Sequence, residues 1–381
     1  MLYDAASGQQ LWAAFHDGPA NGADEGTAAA LSADRAFVAG TVAGGATGDD
    51  AVVVAYGINA AGAPLWSASY DGFGGADRAV GMALAPDGGR VYVAASSAGP
   101  AGSGYDYVTL AYDAATGSLA WTSRYNGPAS GEDLPKAVAA SPDGSRVFVT
   151  GRSIGSGTGH DFATVAYNAA TGAHLWTARY DGPGHGFDGA EAISVTPDGS
   201  SVAVGGVTTA GEDAFGTVVY AAATGAQVWA ATENPGAMEA VSAVTVSPDG
   251  TKVFVTGEAQ RPFTFRDIPT FAYAASDGAR LWSAWYAQGG HDAAYDMRAT
   301  ASAVLLTGAS LGSGTGTDVI TAAYAPSNGA QLWAERYHVP GNTGEWANAI
   351  VAHPDGTKAY VTGPSANLVE GVDWLTIAYP V

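Results

Sequence analysis

Two sets of acidic residues recur along the chain at spacings that could gather carboxylates in one place. An acid of the first set stands nine residues before the proline of a Pro-Asp-Gly turn or its equivalent, and an Asp of the second set stands six or seven residues before a recurring Tyr. Such carboxylates can accept the backbone N–H groups of a loop, or they can hold a cation. The first set is Asp24, Asp77, Asp133, Asp188, Glu239, Asp292 and Glu345, and the second is Asp50, Asp106, Asp161, Asp213, Asp267, Asp318 and Asp373.

Repetition favours the loop-capping interpretation, because a device present in every repeat belongs to the fold rather than to one site. The alternative is a cation site built from the first set, at the mouth of a channel that all the repeats would line. The sequence contains no Asp-x-Asp-x-Asp-Gly calcium loop. We therefore expect no metal and no cofactor, with Ca²⁺ on the first-set acids as the alternative.

One position varies from repeat to repeat while its surroundings stay alike. It lies three residues after each first-set acid, and we expect it to line the channel mouth. Lys136 and Glu191 occupy it in neighbouring repeats, where they could bind a ligand or form a solvated ion pair. Together with His185, His291 and Tyr295 they are the acid and base candidates of an enzyme such as a polysaccharide lyase or hydrolase. The seven residues are Thr27, Val80, Lys136, Glu191, Ser242, Tyr295 and Asn348.

Two neighbouring loops depart from the repeat and concentrate aromatic and basic side chains. The segment "EAQRPFTFRD", residues 258–267, replaces a loop that is rich in Gly and Ser elsewhere, and residues 285–298 follow with a second unusual loop. Aromatic and arginine clusters suit the binding of a sugar, a carboxylate or a protein side chain. The alternative is that the phenylalanines only cover one end of the repeat. The predicted ligand-binding residues are Arg261, Phe263, Phe265, Arg266, Trp285, Arg298, Trp346 and Asn348.

Other catalytic or metal-binding patterns are missing from the sequence. The seven histidines show no short metal-binding spacing, and the chain contains no cysteine. The Gly-rich runs do not lie between a strand and a helix, as a phosphate-binding loop requires. We therefore lean towards a protein that is not an enzyme.

The elements that must position these residues come from a repeat of 51 to 55 residues, measured between tryptophans. A glycine lies four residues before each of these tryptophans, and a tyrosine lies nine or ten residues before it. Pro-Asp-Gly and Thr-Gly turns separate short runs of alternating apolar residues, which predicts four antiparallel strands per repeat. The tryptophans are Trp12, Trp66, Trp121, Trp176, Trp229, Trp282 and Trp333.

Seven such sheets predict a seven-bladed β-propeller in one domain, residues 1–381. The chain ends with a third strand and begins with a fourth strand, so we expect residues 1–18 to supply the outer strand of blade 7 and close the ring. The predicted blades 1 to 7 begin at residues 19, 73, 128, 183, 235, 289 and 340, and they end at 72, 127, 182, 234, 288, 339 and 381.

The segment from Ala111 to Trp121, "AYDAATGSLAW", resembles the tryptophan-docking motif of PQQ-like, quinoprotein-type propeller repeats. The stretches "SPDGSRVFVTG" and "GSGTGHDFATVAY" also resemble the SBBP and YVTN repeats of bacterial surface and secreted propellers. The resemblance implies that each Trp packs between adjacent blades, and it implies a fold rather than an activity. Quinone-dependent dehydrogenases of this family typically have eight blades, and many stack the cofactor on a disulfide, so seven blades without cysteine argue against that activity.

Composition limits the partners. A net charge of −21, with 15 basic residues against 36 acidic ones, excludes nucleic acid, whose phosphates need Lys and Arg. The sequence has no apolar run long enough to span a membrane as a helix. We expect a secreted or cell-surface bacterial monomer, lacking its leader here, that binds a glycan, a peptide or a partner protein on the face of its long loops. The alternative is the carbohydrate-active enzyme described above.

Overall fold

The computed structural model describes residues 1–20, 22–45, 48–100, 104–261, 265–312, 314–367 and 371–381. Strands account for 63% of the chain and helix for 1%. No helix among these residues is long and apolar enough to cross a membrane. The backbone contacts divide the chain into two compact units, residues 1–179 and 180–381.

The first unit contains a short hairpin and three four-stranded antiparallel sheets, blades 1 to 3, in which neighbouring strands follow each other along the chain. The hairpin consists of β1 (Leu2–Tyr3) and β2 (Gln10–Trp12). Blade 1 consists of β3 (Glu25–Leu31), β4 (Arg35–Ala43), β5 (Asp49–Gly57) and β6 (Pro64–Tyr70). Blade 2 consists of β7 (Asp77–Leu84), β8 (Arg90–Ala98), β9 (Tyr105–Asp113) and β10 (Leu119–Tyr125). Blade 3 consists of β11 (Asp133–Ala140), β12 (Arg146–Gly155), β13 (Gly159–Asn168) and β14 (His174–Tyr180).

The second unit contains blades 4 and 5 as separate sheets, and blades 6 and 7 joined into one sheet of eight strands. Blade 4 consists of β15 (Gly189–Val195), β16 (Ser201–Thr209), β17 (Asp213–Ala221) and β18 (Gln227–Glu233). Blade 5 consists of β19 (Ala237–Val246), β20 (Lys252–Gln260), β21 (Arg266–Ala274) and β22 (Arg280–Tyr286). Blade 6 consists of β23 (Asp292–Ala299), β24 (Val304–Gly312), β25 (Gly316–Tyr324) and β26 (Gln331–Tyr337). Blade 7 consists of β27 (Asn342–Glu345), β28 (Ala349–Ala352), β29 (Lys358–Asn367) and β30 (Gly371–Pro380).

The predicted all-β propeller fold with four-stranded blades is confirmed, and a count of seven blades is consistent with these sheets. In the described strand pairs, β2 is bonded to β1 and β30 to β29. Closure of a ring by residues 1–18 therefore remains a prediction. The assignment of the whole chain to one domain, with the blade boundaries given above, also remains a prediction.

Four of the recurring tryptophans, Trp66, Trp121, Trp229 and Trp282, pack between neighbouring blades, as the resemblance implied. The Trp121 indole Nε1 donates a hydrogen bond to the Ala169 carbonyl of blade 3 at 3.0 Å, and its side chain is buried. Its ring lies against Gly172, where an added Cβ would stand 2.6 Å from the indole. The recurring glycine therefore has two functions, because it forms the turn at a positive φ and leaves room for the ring.

A β-bulge interrupts the first strand of each of the first six blades, and its extra residue is the variable position found in the sequence. In blade 3 the register passes from Pro135 to Ala137 opposite Gly151 and Thr150, so Lys136 is the extra residue of the bulge. A Cβ on Gly151 would stand 2.1 Å from the Leu134 carbonyl oxygen, so a glycine must face this bulge. A bulge redirects its extra side chain, which explains why this position varies freely. The six bulged residues are Thr27, Val80, Lys136, Glu191, Ser242 and Tyr295.

Candidate functional site

Arg261, in the unusual loop of blade 5, is held rigidly by two side chains. Its guanidinium donates to Oδ2 of Asp267 from Nε at 2.9 Å and from Nη2 at 2.7 Å. The guanidinium carbon also lies 4.4 Å from the ring centroid of Trp285, a cation–π contact. Asp267 is 2% exposed, so the loop is anchored on a buried carboxylate.

Other blades supply the arginine that pairs with the second-set acid from a different position in the repeat. In blades 2 and 6 the arginine three residues after the docking tryptophan, Arg124 or Arg336, donates to the second-set acid Asp106 or Asp318. Blade 5 has Trp285 at the corresponding position, and Arg261 reaches the acid from the loop instead. Blade 5 thereby keeps its buried ion pair and gains an aromatic ring on the loop.

The two unusual loops lie together, as predicted. The rings of Phe265 and His291 have centroids 5.3 Å apart. Arg266 donates to Glu258 across the strand ends, and burial followed by the charge of Glu258 raises the pKa of Tyr295. Phe265 is 53% exposed and Tyr295 is 41% exposed, so two aromatic side chains face solvent beside these ion pairs. Phe263, the other phenylalanine of the first loop, lies outside the described residues.

A pocket of about 520 Å³ opens next to Arg261 between the long loops of blades 4 and 5. Its backbone wall is formed by residues 234–237, which follow β18, and by Gln260 at the end of β20. Glu212 and Arg261 both line the pocket, so an acidic residue lies in the same wall as an arginine that is already paired. Neither Glu212 nor Gln260 departs visibly from the repeat, so the sequence pattern does not single out either residue.

Glu239, a first-set acid, lies two residues after this pocket wall and is buried. Its Oε1 accepts the Gly236 N–H at 2.8 Å. Burial raises the pKa of Glu239 to about 7, although the hydrogen bond from Gly236 lowers it. The charges of Asp213 and Glu212 raise this pKa further. The pocket therefore borders a carboxyl group that titrates near neutral pH.

The first-set acids behave largely as loop caps. Asp77, Asp133 and Asp292 are each 0% exposed, and each accepts one backbone N–H of the preceding loop, at 2.8, 2.6 and 2.9 Å. Asp24 and Asp188 accept the N–H groups of Gly18 and Gly182 in the same way. Glu345 is the exception, because both of its carboxylate oxygens are buried without a hydrogen-bond partner.

The remaining predicted ligand-binding residues lie in blades 6 and 7. Arg298 donates to Asp296 at 2.6 Å, and Oδ2 of Asp296 accepts the Ile350 N–H of blade 7 at 3.0 Å. Trp346 and Asn348 occupy the break between β27 and β28, where Asn348 is exposed and Trp346 is partly buried. Arg298 therefore supports the connection between two blades, and its role in binding remains a prediction.

The acid and base candidates have different partners in the described contacts. His185 Nδ1 lies 2.6 Å from Oδ2 of Asp181, and this hydrogen bond raises the pKa of His185. His291 contacts Phe265, and Tyr295 and Glu191 occupy bulges of different blades. Lys136 belongs to the first unit and Glu191 to the second, so their pairing stays a prediction. The catalytic roles of all five residues likewise stay predictions.

Comparison with known proteins adds a family and a fold. Residues 1–161, 108–309 and 160–354 match the family described as outer membrane protein assembly factor BamB. No curated protein matches the sequence. Hydrazine synthase from Kuenenia stuttgartiensis is similar in structure, with a TM-score of 0.58 and 14% identity over 92% of this chain and 95% of that one.

Two further solved structures are similar. BamB from Moraxella catarrhalis has a TM-score of 0.50 and 15% identity over 93% of this chain and 87% of that one. The quinohemoprotein alcohol dehydrogenase from Comamonas testosteroni has a TM-score of 0.56 and 12% identity over 92% of this chain and 66% of that one. Identities this low establish a shared fold and leave the function to the side chains described above.

Proposed function

Because the chain belongs to the family of the outer membrane protein assembly factor BamB, we propose that it is a non-catalytic propeller that binds an extended segment of a partner protein. The binding surface consists of the pocket beside Arg261 together with the exposed rings of Phe265 and Tyr295. We place the protein in the bacterial cell envelope, in keeping with the description of the family.

The observation that carries this proposal is an arginine, fixed by Asp267 and Trp285, in the same loop that exposes the ring of Phe265. Arg261 is fixed by Asp267 and Trp285, so little side-chain freedom is lost when a ligand binds. Phe265 and Tyr295 expose large rings, the residue type that dominates the binding energy of protein interfaces. A fixed polar group in a loop that also exposes an aromatic ring suits the binding of a peptide.

The charge of the surface indicates the chemistry of the segment. Arg261 and Arg266 are already paired with Asp267 and Glu258, so they do not leave a net positive charge. Glu212 lines the pocket, and the whole chain carries a net charge of −21. A segment with an apolar or aromatic side chain next to Lys or Arg complements both properties, and attraction between opposite charges speeds its association.

The test is a selection of random peptides displayed on phage with the purified protein as bait. Enriched sequences are then made as synthetic peptides, and their affinities are measured by calorimetry. We expect Phe265→Ala combined with Tyr295→Ala to weaken binding by about tenfold or more, or about 1.4 kcal/mol. Phe73→Ala is the matched control, because Phe73 is 60% exposed and lies in the loop between blades 1 and 2.

Two results would overturn the proposal. Either no peptide is enriched above an unrelated propeller, or the selected peptides bind the double variant and the wild type equally. Incubation with a panel of polysaccharides, with and without Ca²⁺, tests the enzyme alternative in parallel. Defined oligosaccharide products that disappear in Glu191→Gln or His291→Ala would replace the binding proposal with the enzyme.

A further inference from the structure

A cluster away from the binding surface brings Asp318, His338 and Glu345 together between blades 6 and 7. His338 Nδ1 lies 3.5 Å from Oδ1 of Asp318 and 3.7 Å from Oε2 of Glu345. One potential ligand atom from each residue lies within 4.8 Å of the other two. The three side chains therefore surround one small volume.

Strand pairing explains why residues so far apart in sequence meet. A single parallel bridge pairs Thr317 of β25 with Gly344 of β27, so the residues that follow them, Asp318 and Glu345, stand side by side. His338 follows directly after β26, the outer strand of blade 6. The cluster thus draws on the end of one blade and the first strand of the next.

The carboxylate of Glu345 lacks the partner that its counterparts have. Its side chain is 0% exposed, and neither oxygen accepts a hydrogen bond. Oδ1 of Asp318 and Nδ1 of His338 are also buried without a hydrogen-bond partner. The corresponding acid Asp133 is equally buried, but one of its oxygens, Oδ2, accepts the Gly127 N–H. An unpartnered buried carboxylate is costly, so this site calls for a positive charge.

The distances favour a cation at the centre rather than hydrogen bonds. Separations of 3.5 and 3.7 Å exceed the usual hydrogen-bond range. Ligand atoms held tetrahedrally at about 2.1 Å from a metal stand roughly 3.4 Å apart, close to these values. Arg336 already donates to Oδ2 of Asp318, which leaves Oδ1 directed at the shared volume.

We propose that Asp318, His338 and Glu345 bind one divalent transition-metal ion, with Zn²⁺ as the best match, and that the ion fastens blade 6 to blade 7. One imidazole nitrogen and two carboxylate oxygens form a ligand set that Zn²⁺ accepts, whereas Ca²⁺ and Mg²⁺ prefer oxygen ligands alone. Two carboxylates and Arg336 leave a net charge of −1 before the metal binds, which favours a dication. This site is independent of the proposed peptide-binding surface.

The test uses the full chain after treatment with a chelator, titrated with Zn²⁺, Mn²⁺ and Ca²⁺ in a calorimeter. We expect Zn²⁺ to bind tightly at one equivalent and to raise the melting temperature, and Ca²⁺ to bind this site far more weakly. His338→Asn should weaken Zn²⁺ binding by about a hundredfold or more. His353→Asn is the matched control, because His353 also pairs with an acid, Asp355, but lies outside the cluster.

Glu345→Gln separates metal binding from folding. Since it removes an unpartnered buried charge, we expect the metal-free variant to melt no lower than the wild type, while the rise in melting temperature with Zn²⁺ disappears. The absorption spectrum of bound Co²⁺ should change in His338→Asn, because it reports the imidazole ligand directly. If one equivalent of Zn²⁺ fails to bind, or if His338→Asn and Glu345→Gln leave Zn²⁺ binding unchanged, the proposal is wrong.

Discussion

At the scale of single residues, blade 5 shows how one substitution in a repeat is balanced by another. Trp285 stands where Arg124 and Arg336 stand in other blades, and Arg261 supplies the missing guanidinium from a loop. Asp267 therefore keeps an ionic partner although the usual one is absent. The exchange frees an aromatic ring to support Arg261 at the edge of the pocket.

Replacing Arg261 should show how much the stability of the fold depends on the ionic partner of Asp267. Arg261→Ala leaves Asp267 charged and buried, and we expect a loss of about 1–3 kcal/mol in the free energy of unfolding, less than for a fully buried pair because Arg261 is 38% exposed. Arg280→Ala, which breaks the exposed pair with Glu233, should cost less than about 1 kcal/mol. Urea denaturation measures both values.

A second substitution tests whether an arginine at the position of Trp285 can replace Arg261 as the partner of Asp267. Adding Trp285→Arg to Arg261→Ala should recover part of the lost stability, because it restores the arrangement in which Arg124 donates to Asp106. If the double variant is no more stable than Arg261→Ala alone, the exchange between the two positions is not the reason for the sequence of blade 5.

Glu239 should make stability depend on pH. Its pKa in the folded protein, about 7, exceeds its ordinary value of 4.5, so the folded chain binds a proton that the unfolded chain releases between these values. The contribution of this group therefore stabilises the protein below about pH 4.5 and is lost as the pH rises to about 7. Denaturation at a series of pH values should show this decline, and Glu239→Gln should reduce it.

A control variant at an exposed acid shows whether the decline in stability with pH comes from Glu239 in particular. Glu335 is exposed, and Glu335→Gln should leave the decline with pH as it is in the wild type. An identical decline in wild type and Glu239→Gln would show that other groups produce it.

At the scale of elements, blades 2, 3, 5 and 6 share two local devices, a bulge in the first strand and a glycine under the tryptophan of the preceding blade. The bulge is made possible by glycines such as Gly151 and Gly257, whose added Cβ would stand 2.1 and 1.9 Å from a carbonyl oxygen of the first strand. It frees one residue per blade from the cross-strand pattern, and Tyr295 is the residue that blade 6 presents there. The hydroxyl of Ser242, another bulged residue, donates to the Ala294 carbonyl of the next blade at 2.7 Å.

The contact between glycine and tryptophan can be separated from the cost of the turn. Gly172 and Gly88 have φ values of 71° and 70°, so alanine at either position suffers the same backbone strain. A Cβ at Gly172 would also stand 2.6 Å from Trp121, whereas nothing lies within 4 Å at Gly88. We expect Gly172→Ala to lose about 1–3 kcal/mol more than Gly88→Ala in urea denaturation. Equal losses would mean that the ring moves aside without cost.

At the scale of the whole molecule, the predicted pairing of the first and last strands decides how the ring is closed. The N-terminal hairpin packs on blade 1, where the Trp12 indole donates to the Ile58 carbonyl at 2.9 Å and its ring lies 5.6 Å from Tyr56. Trp333, on the outer strand of blade 6, stacks on Tyr379 of β30 in blade 7. The repeat assigns a third strand to β30 and a fourth strand to β2, which predicts that the two pair and close the ring.

A disulfide tests this closure, because the chain has no cysteine of its own. In the register by which β5 pairs with β6, Ala14 corresponds to Thr376. The variant Ala14→Cys with Thr376→Cys should therefore form an intramolecular disulfide on mild oxidation, and it should melt at a higher temperature when oxidised.

The control for this experiment combines Ala14→Cys with Asp355→Cys, which lies in a turn at the other end of the blade. It should stay reduced under the same conditions. If the Thr376 pair oxidises no faster than the Asp355 pair, β2 does not close the ring. Deletion of residues 1–18 should then cost the contacts of Trp12 and Ala14 with blade 1 and the hydrogen bond from Gly18 to Asp24.

The sequence by itself determined the fold and its repeat pattern, because the tryptophans, turn glycines and alternating apolar residues recur at one spacing. Each of these residues acts within a single repeat or on the neighbouring repeat. It also singled out Arg261, Phe265 and Trp285, since they break the repeat. The tertiary structure alone decided which long-range partners meet: Arg261 with Asp267 and Trp285, and His338 with Glu345. These contacts depend on loop paths and on the bridge between β25 and β27, which local periodicity does not encode.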